Sequence, residues 1–144
     1  SEIISSFKEI SQKKFIFNHD QFSNLKKITK SIEIVYGLRN FIGNANKFSK
    51  EAIYINLKSD SEITEIIIED DGNGYPKDVL SKIGEPYLRS KDLTEKSKAG
   101  LGLGLFIGKT LLEKNFASIN CRNSKTRRGA EVIIKWSNKD LFNI

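Results

Sequence analysis

The sequence predicts an α+β domain, a two-layer α/β sandwich in which a mixed, mostly antiparallel sheet carries helices on one face. Strand-like and helix-like segments interleave along the chain, and pairs of strands joined by polar loops outnumber clean strand–helix–strand units. No internal repeat, low-complexity tract or shift in composition marks a boundary between domains. We therefore expect one domain over residues 1–144, and a doubly wound parallel sheet is disfavoured.

Composition narrows the class of protein. The chain has 144 residues, of which 38% are hydrophobic, and a formal net charge of +6, which suits one compact core. No apolar run approaches the ~18 residues of a membrane helix, and the N-terminus lacks the pattern of a signal peptide. The single cysteine, Cys121, excludes an intrachain disulfide and a cysteine-only zinc site. Basic residues are scattered through every segment, so the charge indicates a solvated surface more than a nucleic-acid site.

The N-terminal arm, residues 1–30, is expected to contain a helix and a short strand. Apolar residues recur at helical spacing between Ile3 and Ile10, and Lys14–Asn18 is rich in aromatic and β-branched residues. The best-patterned helix follows over Ser31–Phe48. Its apolar residues fall on one side of a helix that turns ~100° per residue; they are Val35, Leu38, Phe41, Ile42, Ala45 and Phe48.

The middle of the chain predicts two strands and then a short helix. The β-rich runs Ala52–Lys58 and Ile63–Glu69 are separated by a short polar loop that includes Ser59, Asp60 and Ser61, so they are expected to be antiparallel neighbours. A short helix is expected to begin at Pro76, because proline fits the first turn of a helix.

The last third predicts a helix and two closing strands. Residues 84–99 show neither helical nor strand periodicity, and so long an unstructured stretch in a compact domain is usually functional or mobile. After the glycine-rich run that begins at Gly100, a helix is expected to extend to about Lys114. Strands are expected over Ser118–Arg122 and Ala130–Trp136.

A first polar cluster lies on the long helix. Asn40, Asn44 and Lys47 occupy a ~60° sector of that helix, because residues three and four apart share a face. An asparagine carbonyl is a hard oxygen donor that suits Mg²⁺, so Asn44 is the candidate metal ligand, and lysine is a matching charge for phosphate. The alternative is that these residues form the solvated side of an amphipathic helix.

A second cluster directly follows the strand that ends at Glu69. Asp70 is expected to accept a hydrogen bond from an exocyclic amine such as that of adenine. Gly72 and Gly74 would let the backbone approach a flat base closely. The alternative is a plain turn, since Asp-Gly and Asn-Gly are strong turn formers.

A third cluster is the alternating glycine run before the last long helix. Glycines at every second position expose backbone N–H groups, and the helix N-terminus adds positive partial charge, which suits a phosphate. The spacing is neither that of a Rossmann site nor that of a Walker site. Its residues are Gly100, Leu101, Gly102, Leu103, Gly104 and Leu105. Arg89, Lys91, Lys96 and Lys98 could close over a polyphosphate, or they could be solvated loop residues.

The order and spacing of these clusters resemble the ATP-binding catalytic domain of sensor histidine kinases, in the superfamily shared with gyrase, Hsp90 and MutL. Asn40–Lys47 resembles the N box, Asp70–Gly74 the G1 box and Gly100–Leu105 the G2 box. Tyr36–Asn40, with Gly84–Tyr87 and Gly102–Lys114, is similar to the RegB/PrrB group of redox-responsive sensor kinases. The resemblance implies the Bergerat fold of histidine kinase-like ATPases.

The resemblance implies a role for each motif residue. Asn44 would hold Mg²⁺ on the phosphates, Asp70 would read the adenine amino group, and Gly72 and Gly74 would shape the adenine pocket. Asn40 and Lys47 would line the phosphate side, and with the lid residue Lys91 they form the expected catalytic set. Residues 84–99 would form the ATP lid, in which Tyr87 replaces a fuller aromatic motif. The glycine run Gly100–Leu105 would hinge the lid and meet the phosphates.

The resemblance also implies a reaction and partners. Mg-ATP would be bound, and its γ-phosphoryl group would pass to a histidine on a dimerisation domain absent from this chain; a response regulator would act downstream. His19 lacks the sequence context of such an acceptor and is expected to be a surface residue. The domain would be cytoplasmic, and its parent a dimeric protein anchored in the bacterial inner membrane. The isolated domain should autophosphorylate poorly or not at all.

Three alternatives belong to other classes. One is an ATPase of the gyrase, Hsp90 or MutL kind, in which a glutamate four residues before the metal-binding asparagine activates water. Asn40 holds that position, and an amide cannot act as a general base. The second alternative, a stand-alone anti-sigma-factor serine kinase, is disfavoured by the same substitution. The third is a basic nucleic-acid-binding module, which no base-stacking aromatic pattern supports. Cys121 is expected to be a small core residue and not a sensor thiol.

Overall fold

The computed structural model describes residues 14–19, 31–77, 80 and 103–141. The helix predicted at Ile3–Ile10 and the segment 84–99 lie outside these residues. Within the described ranges, none of the helices is long and apolar enough to cross a membrane. The elements in chain order are β1 Lys14–His19, α1 Ile32–Phe48, β2 Ala52–Ser59, β3 Ile63–Asp70, α2 Leu103–Lys114, β4 Ser118–Asn123, β5 Ala130–Ser137 and α3 Asn138–Leu141.

The described strands form one five-stranded sheet in the order β1-β2-β3-β5-β4. β2, β3, β5 and β4 are antiparallel neighbours, so the predicted strand pair and the mostly antiparallel sheet are confirmed. β1 pairs in parallel with β2 along its whole length, from Lys14 opposite Ala52 to His19 opposite Leu57. A parallel pair needs a crossover, and α1 lies in that connection. Because β1 is the first strand in this order, the strand of the N-terminal arm forms one edge of the sheet.

The helix α1 begins and ends where its caps require. Ser31 has extended backbone angles, and its Oγ accepts a hydrogen bond of 3.2 Å from the N–H of Ile34, which satisfies one of the free amides of the first turn. At the other end the Ser49 N–H donates to the carbonyl of Ala45 at 2.9 Å. The predicted span of this helix is confirmed to within one residue.

Asp71 fixes the turn between α1 and β2. Its carboxylate accepts hydrogen bonds from the backbone N–H groups of Lys50 at 2.7 Å and of Glu51 and Ala52 at 3.2 Å. Burial opposes the ionised form, but these amides outweigh it and hold the pKa of Asp71 below its usual value. Asp71, the residue after β3, therefore anchors the connection between α1 and β2.

Both long helices cover the same face of the sheet, as predicted. On β2, β3 and β5 the buried apolar side chains alternate with more exposed residues, and they pack against buried residues of α1 and α2. The opposite face carries polar and charged side chains, including those of Glu65 and Lys135. The largest fully buried side chains are Trp136, Phe41, Ile34, Ile53, Ile68, Leu105, Leu112, Ile134 and Leu141.

The helices α1 and α2 are antiparallel and meet at a pair of glycines. A Cβ atom on Gly108 would lie 2.8 Å from Phe41 Cε2 and 3.1 Å from the carbonyl oxygen of Gly37. A Cβ atom on Gly37 would lie 2.9 Å from Leu112 Cγ. Real Cβ contacts essentially never fall below 3.0 Å, so the two backbones approach as closely as they do because neither residue has a side chain.

Two short elements close the fold. The helix expected at Pro76 is supported, because the Leu80 N–H donates to the Pro76 carbonyl at 3.0 Å and Lys77 is helical. The helix α3 is not predicted by the sequence, since four residues carry no period. Its first residue, Asn138, accepts from Thr64 Oγ1 at 2.6 Å and donates to the carbonyl of Asp60 at 2.7 Å, which ties the end of β5 to the β2–β3 turn.

Candidate functional site

Asp70 ends β3 with a buried and fully oriented carboxylate. The residue is 4% exposed, and its Oδ1 accepts hydrogen bonds from the N–H of Gly72 at 2.8 Å and of Ala130 at 3.2 Å. An ionised aspartate is an acceptor only, so two backbone amides from different segments hold the group in one position. A fixed acceptor of this kind suits recognition of a donor such as an exocyclic amine.

Two glycines pack against this aspartate. A Cβ atom on Gly72 would overlap the carbonyl oxygen of Phe48, the last residue of α1. A Cβ atom on Gly129 would overlap both the backbone carbonyl and the Oδ1 of Asp70. Sequence reasoning selected Gly72 but missed Gly129. The sequence does contain a signal for Gly129, because a single glycine next to a β-rich run often marks a place where another segment of backbone comes close.

Gly74 adopts a left-handed conformation that a side chain disfavours. Its φ is +80°, and a Cβ atom there would lie 2.6 Å from Asn123 Oδ1. The Oδ1 of Asn123 accepts a hydrogen bond of 2.7 Å from the N–H of Tyr75. Asn123, at the end of β4, thus holds the chain that follows the Asp70 turn, and no sequence signal had singled it out.

Asn44 lies against the beginning of α2. A Cβ atom on Gly104 would lie 3.1 Å from Asn44 Oδ1 and 3.3 Å from its Nδ2. Among the described residues Nδ2 is buried and has no hydrogen-bond partner. A buried donor without a partner is costly and uncommon. The Nδ2 group of Asn44 is therefore not solvated, and a ligand-binding role for this amide stays a prediction.

The other two predicted residues of α1 are nearby on the same helix. Asn40 Nδ2 donates to the carbonyl of Tyr36 at 2.9 Å, one turn earlier. Lys47 is exposed, and its ammonium lies 5.3 Å from the centroid of the Phe48 ring. Residues at these spacings share one side of a helix, so the structure places both on the side of α1 that carries Asn44.

The residues predicted around the glycine run are described in part. The helix α2 begins at Leu103, so Leu103, Gly104 and Leu105 are helical and do not belong to an open loop before it. The Leu105 side chain is 1% exposed and belongs to the core, so only its backbone could meet a ligand. Tyr87, Lys91, Gly100, Leu101 and Gly102 lie outside the described residues.

A series of contacts joins the described parts of the three motifs. Gly104 contacts Asn44, and the carbonyl of Phe48 contacts Gly72, which donates to Asp70. Asn44 and Phe48 are four residues apart, which is about 6 Å along a helix. The start of α2 therefore contacts α1 at Asn44, and the turn that holds Asp70 contacts α1 one helical turn further on, at Phe48.

Near this region the buried Tyr75 and the half-buried Cys121 form a polar pair. Burial, with the nearby Cys121 and Asp70, raises the pKa of Tyr75 well above its usual value. Burial also raises the pKa of Cys121 to about 12, although the hydrogen bond from the Tyr75 hydroxyl opposes that shift. The cysteine packs against the core, as expected for a structural residue.

We expect Cys121 to react very slowly with thiol reagents in the folded protein. With a pKa of about 12, roughly one molecule in ten thousand would carry a thiolate at pH 8, and the thiolate is the reactive form. Labelling with an aromatic disulfide at pH 8 should therefore be at least a hundredfold slower in buffer than in guanidinium chloride. Equal rates in the two solvents would instead indicate an accessible, ionised thiol.

Comparison with known proteins identifies the architecture. Residues 29–140 match the family described as histidine kinase-, DNA gyrase B- and HSP90-like ATPases. The chain belongs to this family. The resemblance drawn from the three motifs is thereby confirmed, and the family implies that this ATPase-like domain binds ATP.

Relatives and solved structures agree with this assignment. The chain is 37% identical to the sensor histidine kinase RegB of Cereibacter sphaeroides over 102 residues, which are 67% of this chain and 22% of that protein. It is 27% identical over 128 residues to an NtrY-like putative sensor histidine kinase of Rickettsia bellii, covering 88% of this chain and 20% of that one. The chain thus spans about a fifth of the length of these curated relatives.

The predicted histidine kinase-like fold is confirmed by structural comparison. The catalytic domain of histidine kinase ThkA aligns with a TM-score of 0.68 and 20% identity, covering 94% of this chain and 88% of that one. The mycobacterial sensor histidine kinase MprB aligns with a TM-score of 0.66 and 20% identity, covering 94% and 91%. This ATPase-like domain therefore has the fold of histidine kinase catalytic domains.

Proposed function

We propose that this chain is the ATP-binding catalytic domain of a sensor histidine kinase. It binds Mg-ATP and donates the γ-phosphoryl group to a histidine on a dimerisation domain of the same kinase. The observation that carries the proposal is that the last turns of α1 contact both the start of α2, at Asn44, and the turn that orients the Asp70 carboxylate. The similarity to RegB over two thirds of the chain favours the kinase branch of the family.

In this proposal Asp70 reads the base. Its carboxylate accepts from the adenine amino group, while Gly72 and Ala130 hold it in place through their N–H groups. An acceptor-only group rejects a base that presents a carbonyl oxygen at the same position. Gly72 and Gly74 would shape the adenine pocket through their backbone path, which a side chain would displace by meeting Phe48 or Asn123.

The donor chemistry of Asn44 fits a magnesium ion. Its carbonyl oxygen is the kind of hard, neutral ligand that Mg²⁺ accepts alongside waters and phosphate oxygens. When bound, the ion neutralises charge on the transferring phosphoryl group. Lys47 would supply a cation to the same phosphates, and Asn40 would line the phosphate side with it.

The remaining predicted residues complete the proposal for the phosphate side. The backbone of Leu103, Gly104 and Leu105 belongs to the first turn of α2, where free N–H groups and the helix dipole favour an anion. Gly100, Leu101 and Gly102 precede that turn in sequence and would hinge the lid. Lys91 and Tyr87 would contact the nucleotide when residues 84–99 close over it.

An ATP hydrolase is disfavoured as the alternative. The residue four positions before Asn44 is Asn40, whose amide cannot take a proton from water. Its Nδ2 already donates to the carbonyl of Tyr36 at 2.9 Å, which is a structural use of the side chain. The same observation disfavours a stand-alone serine kinase that needs a general base at this position.

We further propose that the parent protein is a dimer anchored in a membrane, with this domain on the cytoplasmic side and a response regulator as its downstream partner. The support is the similarity to RegB, to the NtrY-like kinase and to the Pseudomonas sensor protein kinase PilS. The phosphoacceptor would lie in the part of the parent that precedes this domain.

The proposal predicts that Mg-ATP stabilises the domain and that Asp70→Asn abolishes this effect. Ligand at a hundred times its Kd adds about 2.7 kcal/mol to the unfolding free energy, which a thermal melt detects. Asparagine keeps an oxygen for the amides of Gly72 and Ala130 but presents no carboxylate to adenine. Asp60→Asn is the matched control, because Asp60 also accepts from backbone amides, those of Glu62 and Ile63, in the β2–β3 turn.

Two results would contradict the proposal. One is a melting temperature that Mg-ATP leaves unchanged, together with tight, salt-sensitive DNA binding, which would favour a nucleic-acid module. The other is measurable ATP turnover that Asn40→Ala abolishes, which would place the chain among the hydrolases.

A further inference from the structure

Glu69, the neighbour of Asp70 on β3, directs its carboxylate to the opposite face of the sheet, as alternation along a strand requires. The residue is 8% exposed. Its Oε2 accepts a hydrogen bond of 2.7 Å from Ser124 Oγ and lies 3.9 Å from Arg127 Nε. A buried carboxylate is rarely retained without partners, and both partners here belong to the loop between β4 and β5.

That loop, residues 124–129, is folded around the same hydroxyl. Ser124 Oγ accepts from the N–H of Arg127 at 3.1 Å, and the Ser124 N–H donates to the carbonyl of Gly129 at 2.7 Å. The Arg127 guanidinium stacks on Tyr54, 3.5 Å from the ring centroid. Tyr54 is the cross-strand partner of Glu69. The loop therefore rests on two adjacent residues of the outer sheet face.

The far end of the loop reaches Asp70 from the other side. Gly129 packs so closely on Asp70 that no side chain fits between them, and the N–H of Ala130 donates to Asp70 Oδ1 at 3.2 Å. Two consecutive residues of β3 thus hold the same loop. Glu69 contacts the side chains of Ser124 and Arg127 on the outer face of the sheet, and Asp70 contacts the loop backbone on the inner face. The position of the loop decides where the Ala130 amide meets the Asp70 carboxylate.

We propose that Glu69 is a positioning residue for base recognition. Through Ser124 and Arg127 it sets the β4–β5 loop against Asp70 and so orients the carboxylate that reads the base. This inference rests on the proposed function of Asp70 and extends it to a residue on the opposite face of the sheet, which acts through the loop. The phosphate side of the site, around Asn44, should not depend on Glu69.

The test compares two alanine variants of the same strand face. Glu69→Ala removes the carboxylate that holds the loop. Glu65→Ala, the matched control, removes a carboxylate four residues earlier that lies 3.9 Å from Lys135 Nζ. Calorimetric titration should show a Kd for Mg-ATP and for adenosine raised about tenfold in Glu69→Ala, since the lost hydrogen bond is of that order. The control should stay within twofold of wild type, and Mg-tripolyphosphate should bind both variants like wild type.

Two further variants make the result decisive. Ser124→Ala removes the hydroxyl that links Glu69 to Arg127 and should reproduce the loss even if Glu69→Ala fails to fold. Glu69→Gln keeps an oxygen for that hydroxyl and should restore most of the affinity. Equal Mg-ATP affinity in Glu69→Ala, Ser124→Ala and Glu65→Ala would overturn the inference, and so would a parallel loss of tripolyphosphate binding. If the wild-type protein binds Mg-ATP, either result overturns only the role of Glu69 and leaves the proposed function in place. If the wild-type protein does not bind Mg-ATP, both proposals are overturned.

Discussion

Gly129→Ala should destabilise the domain by about 3 kcal/mol or more, the upper part of the usual range for overpacking, and should abolish Mg-ATP binding. The new Cβ would overlap the carbonyl oxygen and Oδ1 of Asp70. Backbone atoms cannot move away by changing rotamer, so the loop must leave β3 and take the Ala130 N–H with it. Thermal melts should show a decrease of about 10 °C, and calorimetry should show no heat of ATP binding.

Arg128→Gly is the matched control for this prediction. Arg128 precedes Gly129 in the same loop and has a φ of +66°, a strained conformation for a residue with a side chain. Glycine relieves that strain, so the control should melt at the same temperature as wild type or higher and should still bind Mg-ATP. A Gly129→Ala protein as stable as the control, with wild-type ATP affinity, would disprove the close packing on Asp70.

Gly108→Val should separate α1 from α2 and cost about 2 kcal/mol or more in unfolding free energy. The first side-chain carbon alone would lie 2.8 Å from Phe41 Cε2 and 3.1 Å from the Gly37 carbonyl. Phe41 is 2% exposed, and a ring in a close-packed core cannot move aside without disturbing its neighbours. Because Gly104 lies one turn earlier on α2 and contacts Asn44, we also expect weaker binding of Mg-tripolyphosphate, measured by calorimetry.

Two variants separate packing from helix propensity. Gly108→Val itself should gain helix propensity, because valine is a better helix former than glycine, so a loss of stability in this variant reports packing. Adding Phe41→Leu to Gly108→Val makes room beside the new side chain and should recover part of the stability and of the phosphate affinity. No recovery in the double variant would place the cause outside the contact between Gly108 and Phe41.

The elements of the fold are predictable where a long period and a cap coincide. The helix α1 is predicted almost to the residue, because Ser31 supplies a cap and its apolar stripe repeats through to the last turn. The start of α2 is less predictable. Glycine costs about 1 kcal/mol within a helix, so the run before Leu105 favours a loop. Packing of Gly104 on Asn44 and of Gly108 on Phe41 outweighs that preference.

The candidate site is predictable only in the residues that carry a local motif. Asn44 and Asp70 follow from the chemistry of their side chains and their spacing. Gly129, Asn123 and Glu69 act through contacts with residues far away in sequence: Gly129 and Asn123 reach the turn after β3 from the last two strands, and Glu69 holds the loop between those strands. Such partners depend on the register of the sheet, which a single sequence does not specify.

The hydrogen bond between Asp70 and Ala130 also affects how the chain tolerates insertions. The chain leaves β3 after Asp70 and returns beside the same strand at Ala130, the first residue of β5, so this bond joins the two ends of a long excursion that contains α2 and β4. Extending a loop whose ends are already joined is inexpensive, since each doubling of its length costs about 0.6 kcal/mol. Inserting residues between 77 and 103 lengthens this excursion and should therefore leave the pairing of β3 with β5 intact.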